Sequence, residues 1–220
     1  MDTQNNQDTK LMKTGTTTVG VVAKDALILA ADQKATMGFL ISNKRTKKVR
    51  QVDDHIGMTI AGLVGDADFL VKLMRAELKL YRLQRGPIML RSASSLLANI
   101  LFNGKGYFPY WVQVMIGGYD SDGPHLYSID AAGGTSEERD FFSTGSGSPM
   151  ALGVLEDNFK ENMPKEEAVK LAVRAVKAAT KRDAASGGEL ITCVVISKDG
   201  YKEISDDEVR KIIGSQMLTQ

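Results

Sequence analysis

The residues able to do chemistry are few and scattered. Cys193 is the single cysteine, and it lies in an apolar run, Ile191 to Ser197 (ITCVVIS). A thiol there reads as packed core, because a reactive thiolate needs an exposed, electropositive setting. His55 and His125 stand far apart with no cysteine partners, which excludes a His/Cys metal site and leaves a carboxylate site open. Lys105 follows Gly104, but Asn99 holds the first glycine position of a P-loop and Gly106 the Ser/Thr position. Gly145-Ser146-Gly147 lacks the third glycine of a dinucleotide fingerprint. Thr144 stands where a Gly-x-Ser-x-Gly elbow around Ser146 needs its first glycine. Lys44 to Arg50 (KRTKKVR) holds five basic residues in seven. Alone it reads as a solvated loop. Phosphate binding is a second reading, and a lysine turned inward to a catalytic site a third.

Composition narrows the classes. The chain has 220 residues, 43% hydrophobic and 25% charged, with a net charge of +1. That is globular rather than disordered or fibrous. No global field draws nucleic acid or an anionic membrane, and the basic run has no aromatic platform beside it. The first 15 residues are polar and lack the apolar stretch of about 7–15 residues that a secretory signal needs. No later run approaches the roughly 18 apolar residues of a membrane span. The 1–15 segment reads as a plain tail or a pro-segment. A lone cysteine permits no intrachain disulfide, and nothing suggests secretion.

Strands and helices alternate in blocks. Thr16 to Val22 is rich in β-branched residues and predicts a strand, Lys24-Asp25 a turn, and Ala26 to Ala31 a second strand. His55 to Gly62 predicts another. Asp66 is expected to cap a helix with an inward stripe of Phe69, Leu73, Ala76, Leu80 and Leu83, stopped by Gly86-Pro87. A second helix is expected from about Arg91 to Phe102, with Leu96, Leu97, Ile100 and Leu101 inward. Strands return at Trp111 to Gly118 and His125 to Ile129 across a turn cluster. Ser143 to Pro149 reads as a Gly/Ser loop before a helix from about Met150 to Lys160. Pro164 opens the next helix, with a core stripe of Ala168, Leu171, Ala172, Ala175, Val176 and Ala179. Ile191 to Ser197 and Gly200 to Ile204 form a last hairpin, and a short helix from Asp206 to Ile213 ends the pattern. Strands gathered in hairpins, with no βαβ repeat, predict α+β: antiparallel sheets with segregated helices, in one domain, 16–220.

Several segments resemble one family. Gly15-Thr16-Thr17-Thr18-Val19-Gly20 resembles the processing junction and mature N-terminus of proteasome β subunits. Asp32 follows the second strand as in that family. Lys47-Lys48, Ala61 to Ala67 (AGLVGDA), Ser128 to Gly134 (SIDAAGG), Ser143 to Ser148 (STGSGS) and Arg182 to Gly188 (RDAASGG) all match it in order. The likeness covers nearly everything from Gly15 to the last hairpin, and is nearest to the archaeal-type 20S subunit. It implies a four-layer αββα sandwich of two antiparallel sheets between helix layers, the N-terminal nucleophile hydrolase fold. It also implies threonine peptidase activity.

The resemblance assigns roles. Residues 1–15 become a pro-segment, cut between Gly15 and Thr16. Thr16 is then nucleophile and, through its freed α-amine, base; such an amine titrates near pH 8. Gly15 is expected to let the Thr16 side chain approach the preceding carbonyl. Lys48 depresses the amine's pKa and Asp32 orients Lys48. Gly62 offers a backbone N–H to an oxyanion. Ser146, Asp183 and Ser186 surround the amine and hydroxyl. Ala35, Ile60 and Val64 line the pocket for the residue before the cut, and being apolar they predict cleavage after hydrophobic residues. No cofactor or metal is implied. The implied partners are β subunits in a seven-membered ring, α rings stacked on either side, an ATPase regulator and unfolded polypeptide, in the cytoplasm. Two alternatives are a silent structural ring subunit and the bacterial two-ring relative.

Overall fold

The computed structural model describes residues 15–106 and 109–215. The proposed pro-segment, apart from Gly15, therefore lies outside the described residues.

Two five-stranded sheets carry the fold. The first has the order β10-β1-β2-β11-β12, made of β1 (Thr18–Val22), β2 (Ala26–Asp32), β10 (Phe141–Thr144), β11 (Ile191–Ser197) and β12 (Gly200–Glu203). The second runs β5-β6-β7-β8-β9, made of β5 (Val49–Asp53), β6 (Ile56–Gly62), β7 (Val112–Asp120), β8 (Gly123–Ile129) and β9 (Thr135–Glu138). Every neighbouring pair is antiparallel. A separate hairpin, β3 (Ala35–Met37) with β4 (Leu40–Asn43), stands apart from both. Helices α1 (Val64–Arg85) and α2 (Leu90–Gly104) precede β7. Helices α3 (Ser148–Asn158) and α4 (Lys165–Thr180) precede β11, and α5 (Asp206–Ser215) follows β12.

Three apolar cores define the layers. Leu27, Leu29, Met115, Leu126, Val194 and Ile196 pack the two sheets face to face. Val19, Ile28, Ala30 and Cys193, on the other face of the first sheet, pack under α3 and α4. Met58, Val114 and Ile116 pack under α1 and α2. β2 is buried along its whole length, so its side chains alternate between two cores, which is why it reads as a continuous apolar run. The order helix–sheet–sheet–helix is the αββα sandwich that the resemblance implied.

Some expectations need correction. The α4 stripe is buried at all six expected positions. The α1 stripe is not: Phe69, Leu80 and Leu83 are 51%, 52% and 74% exposed, and Leu70, Val71, Met74 and Leu78 face the core instead. Both sets have helical spacing, so periodicity alone could not choose between them. Asp66 does not cap α1. The cap position is Leu63, without a side-chain hydrogen bond, and Asp66 accepts the Trp111 N–H at 2.8 Å. The end of the basic run is not loop, since Val49 and Arg50 open β5, and Ser143 and Thr144 end β10 rather than opening the Gly/Ser loop. Cys193 is fully buried, and burial pushes its thiol up to about 12, as a packed thiol requires. Among the described residues no helix is long and apolar enough to cross a membrane.

Candidate active site around Thr16

Thr16 sits just before β1, at the end of an inner strand of the first sheet flanked by β10 and β2. It is 4% exposed. Its Oγ1 donates to the carbonyl oxygen of Gly15 at 2.6 Å. The same oxygen accepts from Lys48 Nζ at 3.2 Å. One peptide carbonyl thus receives the hydroxyl of the residue it acylates and a buried ammonium.

Lys48 is held from the other side by Asp32, the last residue of β2. The Nζ–Oδ1 distance is 2.7 Å, with the two side chains 6% and 0% exposed. Asp32 is saturated. Its Oδ1 also accepts the Thr17 N–H at 2.9 Å, and its Oδ2 accepts the N–H groups of Gly187 at 2.8 Å and Lys34 at 3.2 Å. A carboxylate with charge-assisted partners on both oxygens stays fixed. Burial pushes the Lys48 ammonium below the ordinary lysine value, more than the neighbouring Asp32 restores.

The turn after α4 supplies Asp183 and Ser186, and the turn after β10 supplies Ser146. Ser146 Oγ and Ser186 Oγ both donate to Asp183 Oδ2, at 2.6 and 2.5 Å. Each serine hydrogen is thereby committed. Ser146 Oγ then faces the Thr16 N–H as acceptor at 3.2 Å, and Thr17 Oγ1 must be the donor in its 2.7 Å bond to Ser186 Oγ. Donors therefore run toward Asp183 from both ends. Burial alone would raise the Asp183 carboxyl. The two serine hydroxyls, the Ala185 N–H and the positive Lys34 outweigh it and hold it below the usual range.

Glycines allow the close approaches. Gly145 has φ +95° and a Cβ there would fall 2.1 Å from the Thr16 carbonyl oxygen. Gly62 has φ +138°, and a Cβ would fall 2.0 Å from Trp111 O where β6 hands over to α1. Gly15 is constrained by packing as well. A methyl there would meet Ala185 Cβ at 1.7 Å.

A cleft opens beside this cluster. Ala35, Ile60 and Val64 line it, together with Gly15, Thr16, Lys48 and Gly62. Thr46, Lys47, Arg50, Ala67 and Asp68 line it too, and the sequence reading placed none of these five in the pocket. The signal was present: Thr46, Lys48 and Arg50 alternate at strand period, and Val64, Ala67 and Asp68 follow helical spacing. The open question of a carboxylate cation site has one candidate among the described residues, Asp120, Asp122 and His125 at the β7–β8 turn. It shares no residue with the Thr16 cluster, and Asp120 is already engaged by the N–H groups of Leu90 and Asp122.

A family model described as "Proteasome subunit" matches residues 12–195. The chain belongs to the proteasome β-subunit family. Among its relatives, a protein named "Proteasome subunit beta" from Methanoregula boonei is 53% identical over 199 residues, covering 90% of this chain and 92% of that protein. One of the same name from Methanosphaerula palustris is 52% identical over 198 residues, covering 90% and 93%. A third, from Methanospirillum hungatei, is 52% identical over 196 residues, covering 89% and 93%. The matched residues of this proteasome-family chain include every member of the Thr16 cluster.

Proposed function

We propose that this chain is a working threonine endopeptidase of the 20S proteasome core, made active by its own cleavage between Gly15 and Thr16. The observation that carries the reading is the meeting of Thr16 Oγ1 and Lys48 Nζ on the Gly15 carbonyl oxygen. In the uncut chain Thr16 Oγ attacks the Gly15 carbonyl carbon, and the Lys48 ammonium stabilises the charge that develops on its oxygen. The C–N bond breaks as the Oγ proton passes to the leaving Thr16 nitrogen, an ester forms on Oγ, and water hydrolyses it. Residues 1–15 leave, and Thr16 keeps a free α-amine.

The amine then serves as base for the hydroxyl beside it. Its proximity to the Lys48 charge favours the neutral form. Asp32 keeps that lysine oriented. Ser146 accepts an N–H of the amine, because its own hydrogen is spent on Asp183, and this directs the amine's lone pair away from Ser146. On a peptide substrate, Thr16 Oγ attacks the scissile carbonyl while the amine takes its proton and later passes it to the leaving amine. The Gly62 N–H receives the oxyanion. Water then hydrolyses the acyl-enzyme, again with the amine as base. Ala35, Ile60 and Val64 favour an apolar residue before the cut.

The reading extends to assembly: a seven-membered β ring between α rings in the cytoplasm, fed with unfolded polypeptide by an ATPase regulator. The name carried by the relatives supports a proteasome β subunit over the two-ring relative. Intact-mass measurement after co-assembly with α subunits tests the proposal. Loss of residues 1–15, with hydrolysis that Thr16→Ala abolishes, is the expected result. A full-length chain in a complete particle would establish a silent structural subunit instead.

A further inference from the structure

The cleft beside Thr16 has a wall that its three apolar positions do not describe. Lys47, Lys48 and Arg50 all line it, yet each has a carboxylate of its own. Lys47 pairs with Glu203 at 2.9 Å, Lys48 with Asp32 at 2.7 Å, and Arg50 NH2 with Asp68 Oδ1 at 3.1 Å. Of those three carboxylates only Asp68 lines the cleft itself. Arg50 is fixed at a second point, its Nε donating to Lys47 O at 2.8 Å. The Arg50 and Asp68 side chains are 33% and 45% exposed. The pair thus joins β5 to the first turns of α1 across the end of the cleft, with both charges open to whatever enters.

The geometry points to the Arg50–Asp68 ion pair as the element that sets charge selectivity in this pocket. Joined, the two charges cancel, and the cleft takes uncharged side chains against Ala35, Ile60 and Val64. A substrate carboxylate would have to displace Asp68 from Arg50, and a substrate ammonium would have to displace Arg50 from Asp68. Either entrant meets one like charge and must give up its own water. The wall is therefore neutral by cancellation and charged in either sense once one partner is gone. A half-exposed pair adds little to stability, so losing a partner leaves the fold intact.

This inference rests on the proposed peptidase reading. Its test is a fluorogenic peptide panel with Leu, Glu or Arg before the cut, run on assembled particles. Asp68→Asn should raise the Glu/Leu ratio of kcat/KM about tenfold, and Arg50→Gln should raise the Arg/Leu ratio by a similar factor. The double variant Arg50→Asp with Asp68→Arg rebuilds a pair of opposite polarity and should return the ranking to that of the wild type. Active single variants with an unchanged ranking would overturn the inference while leaving the peptidase reading standing. A wild-type particle that cleaves no peptide in the panel would overturn both.

Discussion

Asp32 and Asp53 are both buried against a Lys or Arg cation, and the molecule treats them differently. Asp32 is fully enclosed and accepts four hydrogen bonds, from Lys48, Thr17, Gly187 and Lys34. Asp53, at the β5–β6 turn, is nearly as buried, yet its Oδ2 has no hydrogen-bond partner, and neither does Arg82 Nε beside it. Arg82 instead spreads its donors. It pairs with Asp54, lies 3.1 Å from Asp53 Oδ2, and donates to His55 Nδ1 at 3.2 Å. His55 Nε2 must then carry the proton in its 3.0 Å bond to Ile88 O. The first pair is fixed from every side, and the second shares its charge among several acceptors. A saturated network holds an ammonium in one place, whereas a half-satisfied one only ties elements together.

Substitutions sharpen this contrast. The largest effect is expected at Lys48. Lys48→Ala should abolish both loss of residues 1–15 and peptide hydrolysis, and a processed, active Lys48→Ala particle would remove the role given to it. Next comes Asp32→Ala, which leaves a buried ammonium unpaired. A loss of about 3–5 kcal/mol in chemical denaturation is expected. Asp53→Asn should cost no more than about 1 kcal/mol, because Arg82 keeps Asp54 and His55. Equal losses at Asp32 and Asp53 would erase the distinction drawn between the two pairs.

The smallest effect is a pH dependence at Asp183. Its folded value is depressed, so the stability it contributes is complete above the ordinary carboxylate value of 3.8 and is lost as pH falls through the folded value. Melting curves of wild type and Asp183→Asn should therefore differ above about pH 4 and converge in stronger acid. A difference that grows on acidification would contradict the hydrogen-bond directions assigned to Ser146 and Ser186.

The sequence announced the sandwich unevenly. α4 was legible because its buried stripe is the only apolar one on that helix. α1 was not, because it carries two apolar stripes and only the sheet beneath it chooses. β5 hid behind a run of charge, since its only buried residues are Val49 and Val52, and a register shift between Gln51 and Asp53 breaks the strand alternation. The Thr16 cluster was legible through motif order, not through local chemistry. Asp32, Lys48 and Asp183 come from separate stretches of sequence, and no single window contains their bonds. Arg50 and Asp68 lay within matched or adjacent segments, but their pairing depends on how β5 meets α1.

The contact between Gly15 and Ala185 ties together two positions that heredity handles separately. A side chain at residue 15 is blocked by the methyl of residue 185 and also by its backbone, since a Cβ would fall 2.6 Å from the Ala185 Cα and 2.7 Å from its carbonyl carbon. Trimming Ala185 to glycine therefore removes only the nearest of the three contacts, and residue 15 stays confined to glycine. Under the proposed processing that confinement acts only while the precursor is uncut, so a distant turn dictates the identity of a residue that the mature chain no longer carries.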